Sequence, residues 1–268
     1  MSEDGAPAEQ RHSAGAASDA GRHRLERDPD DATAFYDRWA NLYDLIASHA
    51  PLVGRYRRRV VDALRLDRGD TVVEIGCGTG ANLPLLAREV GPTGTVIGID
   101  RSQGVLERAR RNARGYPQVE VLRADGTQLP IEGPAVGENG DGANAGAIDD
   151  ADAATIDGVL ATFVVGMLEE PATTVEEWID LLSPDGHVAL LHLRRSEHAL
   201  APLANPALSI ATVLSTPPTT KLRYERDLTT LLDARVRDAG AVVRERTDPT
   251  LTESHLFDLV ALTAGRRI

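Results

Sequence analysis

The chain reads as a doubly wound α/β domain, and three observations carry that reading. Apolar runs of strand length alternate with stretches of helical periodicity, the pattern of parallel strands joined by helices. The first clear run, Val72-Val73-Glu74-Ile75, enters Gly76-Cys77-Gly78-Thr79-Gly80, where alternate glycines mark a tight turn between a buried strand and a helix. The second, Val96-Ile97-Gly98-Ile99, ends in Asp100, which sets a carboxylate beside that turn. Ligands of such sheets bind at the carboxyl ends of the strands, and a strand-end acid accepts hydrogen bonds from ribose hydroxyls. The combination indicates an adenosine-containing cofactor.

The elements follow in order. Residues 1–30 are rich in Ala, Gly, Ser and charge without apolar periodicity, and are expected to form a disordered tail. Beyond Ala32, Phe35, Tyr36, Trp39, Leu42, Tyr43 and Ile46 recur at three- and four-residue steps and form one helical face. Pro51 breaks the chain, and a second helix is expected over about Leu52 to Leu66. Its arginines Arg55, Arg57, Arg58 and Arg59 spread around several faces and read as solvated surface.

Strand one is Thr71 to Ile75, with a helix from about Ala81 to Val90 stopped by Gly91-Pro92. Strand two runs from about Thr95 to Asp100, and Ser102 then caps a helix with Val105, Leu106, Ala109 and Ala113 on one side. Strand three is about Val119 to Ala124. The stretch 133–154, mainly Gly, Ala, Asn, Asp and Glu, reads as a solvated acidic insertion rather than a substrate lid.

Strand four is Ile156 to Val165, its helix about Thr173 to Leu182, and strand five about His187 to Leu193. Residues 194–221 carry Leu200, Leu203, Leu208, Ile210, Val213 and Leu214 between prolines. They fit either a hydrophobic cap over an acceptor pocket or a helical insertion packed on the sheet. A helix at Asp227 to Ala239, ended by Gly240, precedes strands at about Ala241 to Thr247 and Leu256 to Thr263. These two, joined without a helix, read as an antiparallel hairpin.

Gly76, Gly78 and Ala81 satisfy the dinucleotide pattern G-x-G-x-x-G/A, so glycine spacing alone leaves NAD open. Glu74 and Gly80 point elsewhere. The run E-I-G-C-G-T-G resembles motif I of the class I S-adenosylmethionine-dependent methyltransferases, E/D-x-G-x-G-x-G. Asp125-Gly126-Thr127-Gln128-Leu129-Pro130 after strand three resembles the family's adenine-contacting loop. Leu182-Ser183-Pro184-Asp185-Gly186-His187 resembles its L-x-P-G-G turn, with Asp185 in place of a glycine. The likeness covers Asp70 to Leu193 and implies a seven-stranded, mostly parallel Rossmann-like sheet with an antiparallel C-terminal hairpin, in a single domain over 31–268.

The same resemblance implies a cofactor site for S-adenosyl-L-methionine. Gly76, Cys77, Gly78, Thr79 and Gly80 would line its methionine part, and Glu74 would act through the turn backbone or the methionine ammonium. Asp100, followed by Arg101, would hold the ribose hydroxyls; Asp125, with Gly126, the adenine amine. Thr162 and Phe163 would face the methyl group or the acceptor. Phe35-Tyr36-Asp37 through Tyr43-Asp44 resembles the N-terminal "YD…A…YD" segment of ubiquinone/menaquinone and phospholipid N-methyltransferases. There it folds over the cofactor, which would make 31–66 a lid and Tyr43 its cofactor contact.

Composition narrows the function. At 268 residues and 42% hydrophobic content, one domain can bury a substantial core. The net charge of −12, a single lysine at Lys221 and only 4% aromatics resemble cytoplasmic proteins of salt-in halophiles, although a GC-rich genome also favours arginine. The N-terminus lacks the apolar core of a signal peptide, and no apolar stretch approaches the ~20 residues of a membrane span, so a cytoplasmic protein is expected. Cys77 is the only cysteine, so no intrachain disulfide can form, and in the turn its backbone matters more than its thiol.

No Lys or Arg lies between Ala124 and Leu193, which together with the acidity argues against a nucleic-acid substrate. The amino-methyltransferase signature N/D/S-P-P-Y/F/W is absent after strand four, where the chain reads Thr162-Phe163-Val164-Val165. A cytosine-C5 enzyme would need a cysteine beyond strand four, and there is none. Methyl transfer to a small or lipid-like acceptor, such as a quinone, is the expected function. Transfer of the aminocarboxypropyl group, a non-catalytic S-adenosylmethionine-binding role and an NAD-dependent oxidoreductase stay open. No metal site is expected, and none of His187, His192, His198 or His255 is assigned as a general base.

Overall fold

The computed structural model of the protein describes residues 51–129, 155–202, 205–206 and 228–268. The expected tail, the aromatic helix with Tyr36 and Tyr43, the acidic insertion and most of the cap region lie outside the described residues. The strands are β1 (Thr71–Ile75), β2 (Thr95–Asp100), β3 (Val119–Arg123), β4 (Ile156–Thr162), β5 (Leu182–Leu193), β6 (Thr247–His255) and β7 (Val260–Arg267). They form one seven-stranded sheet in the order β3-β2-β1-β4-β5-β7-β6. From β3 to β5 all neighbours run parallel; β7 is antiparallel to both β5 and β6. The chain winds outward from β1 to β3 and returns to β4 beside β1. The strand order therefore reverses between β1 and β4, which opens a crevice at their carboxyl ends.

Helices cover both faces. On one side lie α1 (Pro51–Asp62), α2 (Leu83–Val90) and α3 (Gln103–Asn112), and on the other α4 (Pro171–Asp180) and α5 (Leu228–Arg246). β1 shows how the period-two geometry sorts its side chains. Val72 joins Val60, Leu86 and Leu106 in one core; Val73 and Ile75 join Trp178, Ile179 and Val243 in the other. Glu74 shares the face of Val72, so alternation alone aims a carboxylate at the side covered by α1 and α2. Among the described residues Glu74 is 1% exposed.

The second half departs from the sequence-based expectation at several boundaries. α1 ends at Asp62, and the chain leaves it through Arg65 at φ +50°. Strand four stops at Thr162 rather than Val165, because Phe163 turns the backbone at φ +61° into a short 3-10 turn over Val165–Met167. β5 begins at Leu182: the expected turn survives as an irregularity between the Ile156–Leu182 and Gly158–His187 pairs, with Asp185 at φ +68°. Gly240 does not end α5, which runs on to Arg246 and replaces the strand expected at 241–247. Val236, Ala239 and Val243 are buried along one side of that helix. Burial of the two valines, each worth about 1.5–3 kcal/mol, outweighs the ~1 kcal/mol penalty of a mid-helix glycine. The hairpin itself forms as expected, shifted to β6 and β7, and Pro249 is accommodated because β6 is an edge strand.

Candidate cofactor site

The glycine turn sits at the mouth of the crevice, between the ends of β1 and α2. Gly78 lies at φ +54°, and among the described residues no atom beyond its chain neighbours stands within 4 Å of where a Cβ would project, so none of them covers its bare face. Gly80, at φ +79°, is the opposite case: a Cβ there would meet Ala109 Cα of α3 at 2.9 Å. One glycine leaves room for a ligand; the other lets a helix approach. Gly76 lies where β1 leaves the sheet, and the buried Thr79 offers its carbonyl to Asn112 Nδ2 at 2.8 Å. The Cys77 side chain turns inward beneath Gly98 of β2, and burial, with Glu74 and Asp100 nearby, pushes its thiol pKa well up. A buried neutral thiol is a packing group, not a nucleophile.

Asp100 closes the turn from the second strand. Its Oδ2 accepts from the Gly78 N–H at 3.0 Å and its Oδ1 from the Ser102 N–H at 2.9 Å. Ser102 occupies the cap position of α3 but makes no side-chain capping bond; the Asp100 carboxylate is what meets its N–H there. Burial raises the Asp100 pKa, against the pull of these two hydrogen bonds. Arg101 points outward, and its Nη1 lies 3.5 Å from Asp125 Oδ2.

After β3, Asp125 Oδ1 accepts from both the N–H and the hydroxyl of Thr127, at 3.0 and 2.9 Å, which folds the segment into a tight loop. Partial burial opposes ionisation of Asp125, but the Thr127 hydrogen bonds and the Arg101 charge prevail and hold it below the usual carboxylate range. Gly126 is anchored from below, where its carbonyl accepts from Trp178 Nε1 at 2.8 Å. Trp178, fully buried on α4, thus ties this loop to the core.

A third group was not foreseen. Asn82 Nδ2 donates to Glu74 Oε1 at 2.5 Å and lies 3.2 Å from Thr162 Oγ1, while its Oδ1 accepts from Arg57 Nη1 at 2.9 Å. Arg57 is only 8% exposed, which corrects its reading as solvated surface, and its guanidinium lies 5.6 Å from the centre of the Phe163 ring. Burial drives the Glu74 pKa up to about 7, even though Asn82 and Arg57 both favour its charged form. Among the described residues, Glu74 Oε2 is buried without a hydrogen-bond partner. The sequence held a signal for Arg57, which stands three, four and seven residues before the buried Val60, Val61 and Leu64, on the apolar stripe itself. For Asn82, at the N-cap of α2, the sequence offers only a helix-capping reading, and its side chain makes no capping bond.

The structure therefore gathers Glu74, the 76–80 turn, Asp100, Thr162 and Phe163 around one crevice, with Asp125 and Gly126 linked to it through Arg101 and Trp178. Tyr43 falls outside the described residues. Of the histidines, His192 is buried within β5 with its pKa pushed down to about 3 by burial and Arg194. It is a neutral core group. His187 is likewise lowered, by burial and then by Arg65 and Arg266. Among the described residues there is no cluster able to hold a metal ion, and no helix is long and apolar enough to cross a membrane.

The sheet order, with the glycine turn and the acids at the first strand ends, is that of the class I methyltransferase fold. Residues 66–212 match the methyltransferase-domain family, and the chain belongs to it. It is 37% identical over 100 residues to the 2-phytyl-1,4-naphtoquinone methyltransferase of Thermosynechococcus vestitus, a match covering 37% of this chain and 44% of that one. It is 34% identical over 77 residues to the demethylmenaquinone methyltransferase of Staphylococcus aureus, covering 29% and 32%. The chain thus matches less than half of the length of either relative. Among solved structures it resembles the magnesium protoporphyrin IX methyltransferase of Synechocystis PCC 6803, with a TM-score of 0.57 at 16% identity over 91% of this chain and 99% of that one.

Proposed function

We propose that this protein transfers the methyl group of S-adenosylmethionine to a small, lipid-like acceptor of the quinone type. The observation that carries the cofactor half is the bond between Asp100 and the open-faced Gly78: ligand-facing backbone and a strand-end carboxylate are held in one fixed geometry. The Asp100 carboxylate, met by the backbone N–H groups of Gly78, Ser102 and Arg101, keeps lone-pair capacity for a ribose hydroxyl. The unpartnered Glu74 Oε2 suits an ammonium group at the other end of the ligand, and a buried oxygen of this kind accepts one without giving up another bond. To the Asp125 loop we assign the adenine amine. The acceptor half is supported by the quinone methyltransferases among the relatives.

Bound S-adenosylmethionine supplies a methyl carbon already activated by a sulfonium. What the chain has to contribute is alignment and exclusion of water. Thr162 and Phe163 leave β4 at the crevice, and the left-handed turn at Phe163 points the chain away from the sheet there. The acceptor's nucleophile forms the new bond as the carbon–sulfur bond breaks, and its proton passes to solvent or to a base. Among the described histidines, the buried His192 is unsuited to that task.

Two measurements test this reading in order. Calorimetric titration in molar potassium chloride with S-adenosylmethionine and, separately, NADH is expected to show micromolar binding of the first alone. NADH binding alone would move the search to redox substrates. Incubation with isotope-labelled S-adenosylmethionine and demethylated naphthoquinols, beside phospholipid extracts, is expected to label the quinol fraction with one methyl mass. A gain matching an aminocarboxypropyl group would keep the cofactor and replace the reaction.

A further inference from the structure

We infer that Arg57, acting through Asn82, is a positioning residue that keeps Glu74 charged and aimed for the cofactor's ammonium group. The inference rests on the cofactor reading above and extends it to α1. The geometry is a relay across three elements: guanidinium of α1, amide at the head of α2, carboxylate of β1, joined by bonds of 2.9 and 2.5 Å. The amide can point only one way in it. Its oxygen must face the donor Arg57, so its NH2 must face Glu74 and Thr162, and the cation polarises it into a stronger donor.

The relay gives one Glu74 oxygen a hydrogen bond, and among the described residues the other has no partner. A carboxylate in that state binds an ammonium group; a carboxyl group that has kept its proton does not. Among the described residues, the groups that face Glu74 are Arg57 from α1, Asn82 at the head of α2, Asp100 at the end of β2 and Cys77 in the turn. Burial and Asp100 favour the proton, Asn82 and Arg57 oppose it, and the balance falls at about 7. Arg57 therefore lies on the side of binding, although it stands 17 positions upstream of Glu74 in the sequence. Its guanidinium also lies over Phe163, so the same residue braces the turn that leaves β4.

The test is the pH dependence of binding to the full chain, with S-adenosylhomocysteine and 5′-methylthioadenosine as ligands. The second lacks the amino-acid end. For Arg57→Gln, the ratio of wild-type to variant affinity for S-adenosylhomocysteine is expected to be about tenfold near pH 6. It should approach one near pH 9, as a proton binding about one pH unit more tightly dictates. Titration of the ligand's own amine cancels in that ratio.

Methylthioadenosine affinity should be unchanged at every pH. Arg57→Lys, which keeps the charge, should give a ratio that does not vary with pH. Asn82→Ala cuts the path and leaves both charges; it should reproduce the pH-dependent ratio even if Arg57→Gln fails to fold. A ratio that is constant with pH in folded Arg57→Gln (or in Asn82→Ala where Arg57→Gln does not fold), or an equal loss for methylthioadenosine, overturns the inference. Absence of S-adenosylhomocysteine binding by the wild type overturns the cofactor reading instead.

Discussion

The N–H of Gly78 donates to Asp100 Oδ2 at 3.0 Å, so the end of the second strand holds the turn that leaves the first. The turn is thereby held without any ligand, and the cost of ordering a glycine loop is met during folding.

Asp100→Ala removes both the Gly78 and Ser102 bonds. It should weaken S-adenosylmethionine binding at least about tenfold and lower stability by about 1–3 kcal/mol, the usual penalty for orphaned buried donors. Calorimetry and urea unfolding check the two effects. Unchanged affinity in a folded variant would take Asp100 out of the site.

Gly78→Ala and Gly80→Ala should separate binding from folding. A methyl at Gly78 meets none of the described residues and costs the left-handed backbone, about 1–2 kcal/mol, but it stands where the cofactor should lie. A methyl at Gly80 strikes the Ala109 backbone. The first variant is expected to fold and lose cofactor affinity, the second to unfold at markedly lower denaturant concentration.

Glu74 makes stability fall where binding rises. Between pH ~4.5 and ~7 the folded chain holds a proton on Glu74 that the unfolded chain has released. Its contribution to stability is therefore greatest below that window and is lost as pH rises through it, by on the order of 3 kcal/mol. Glu74→Gln should flatten this slope, leaving the variant more stable than wild type at pH 8 yet weaker in cofactor binding. Denaturant melts at pH 4.5, 6 and 8 show the sign directly.

Trp178→Phe keeps most of the buried ring and deletes the bond to the Gly126 carbonyl. A loss of about 1–2 kcal/mol is expected, with a several-fold weaker affinity for adenine-containing ligands as the Asp125 loop loosens. Equal affinities for wild type and variant, measured with adenosine as well as the full cofactor, would make Trp178 a core residue only.

What was legible in the sequence was local. A strand, a turn and a strand-end acid are each written within a few consecutive residues, because strand periodicity and glycine conformation are properties of the backbone itself. That sufficed for β1 to β4, the parallel sheet, the turn and Asp100. The limits of α5 were not legible, since the helix passes Gly240 only because Ala239 and Val243 have a sheet to pack against.

The site divides in the same way. The sequence by itself placed Glu74 and Asp100 at strand ends. Tertiary structure alone decided that Asn82 joins Glu74 to an arginine 25 residues upstream of the amide and approaches a threonine 80 residues downstream of it. Such partners share no local pattern. They meet because β1 and β4 are neighbours and α1 and α2 cover the same face of the sheet, and a buried carboxylate must be met by whatever donors that packing delivers.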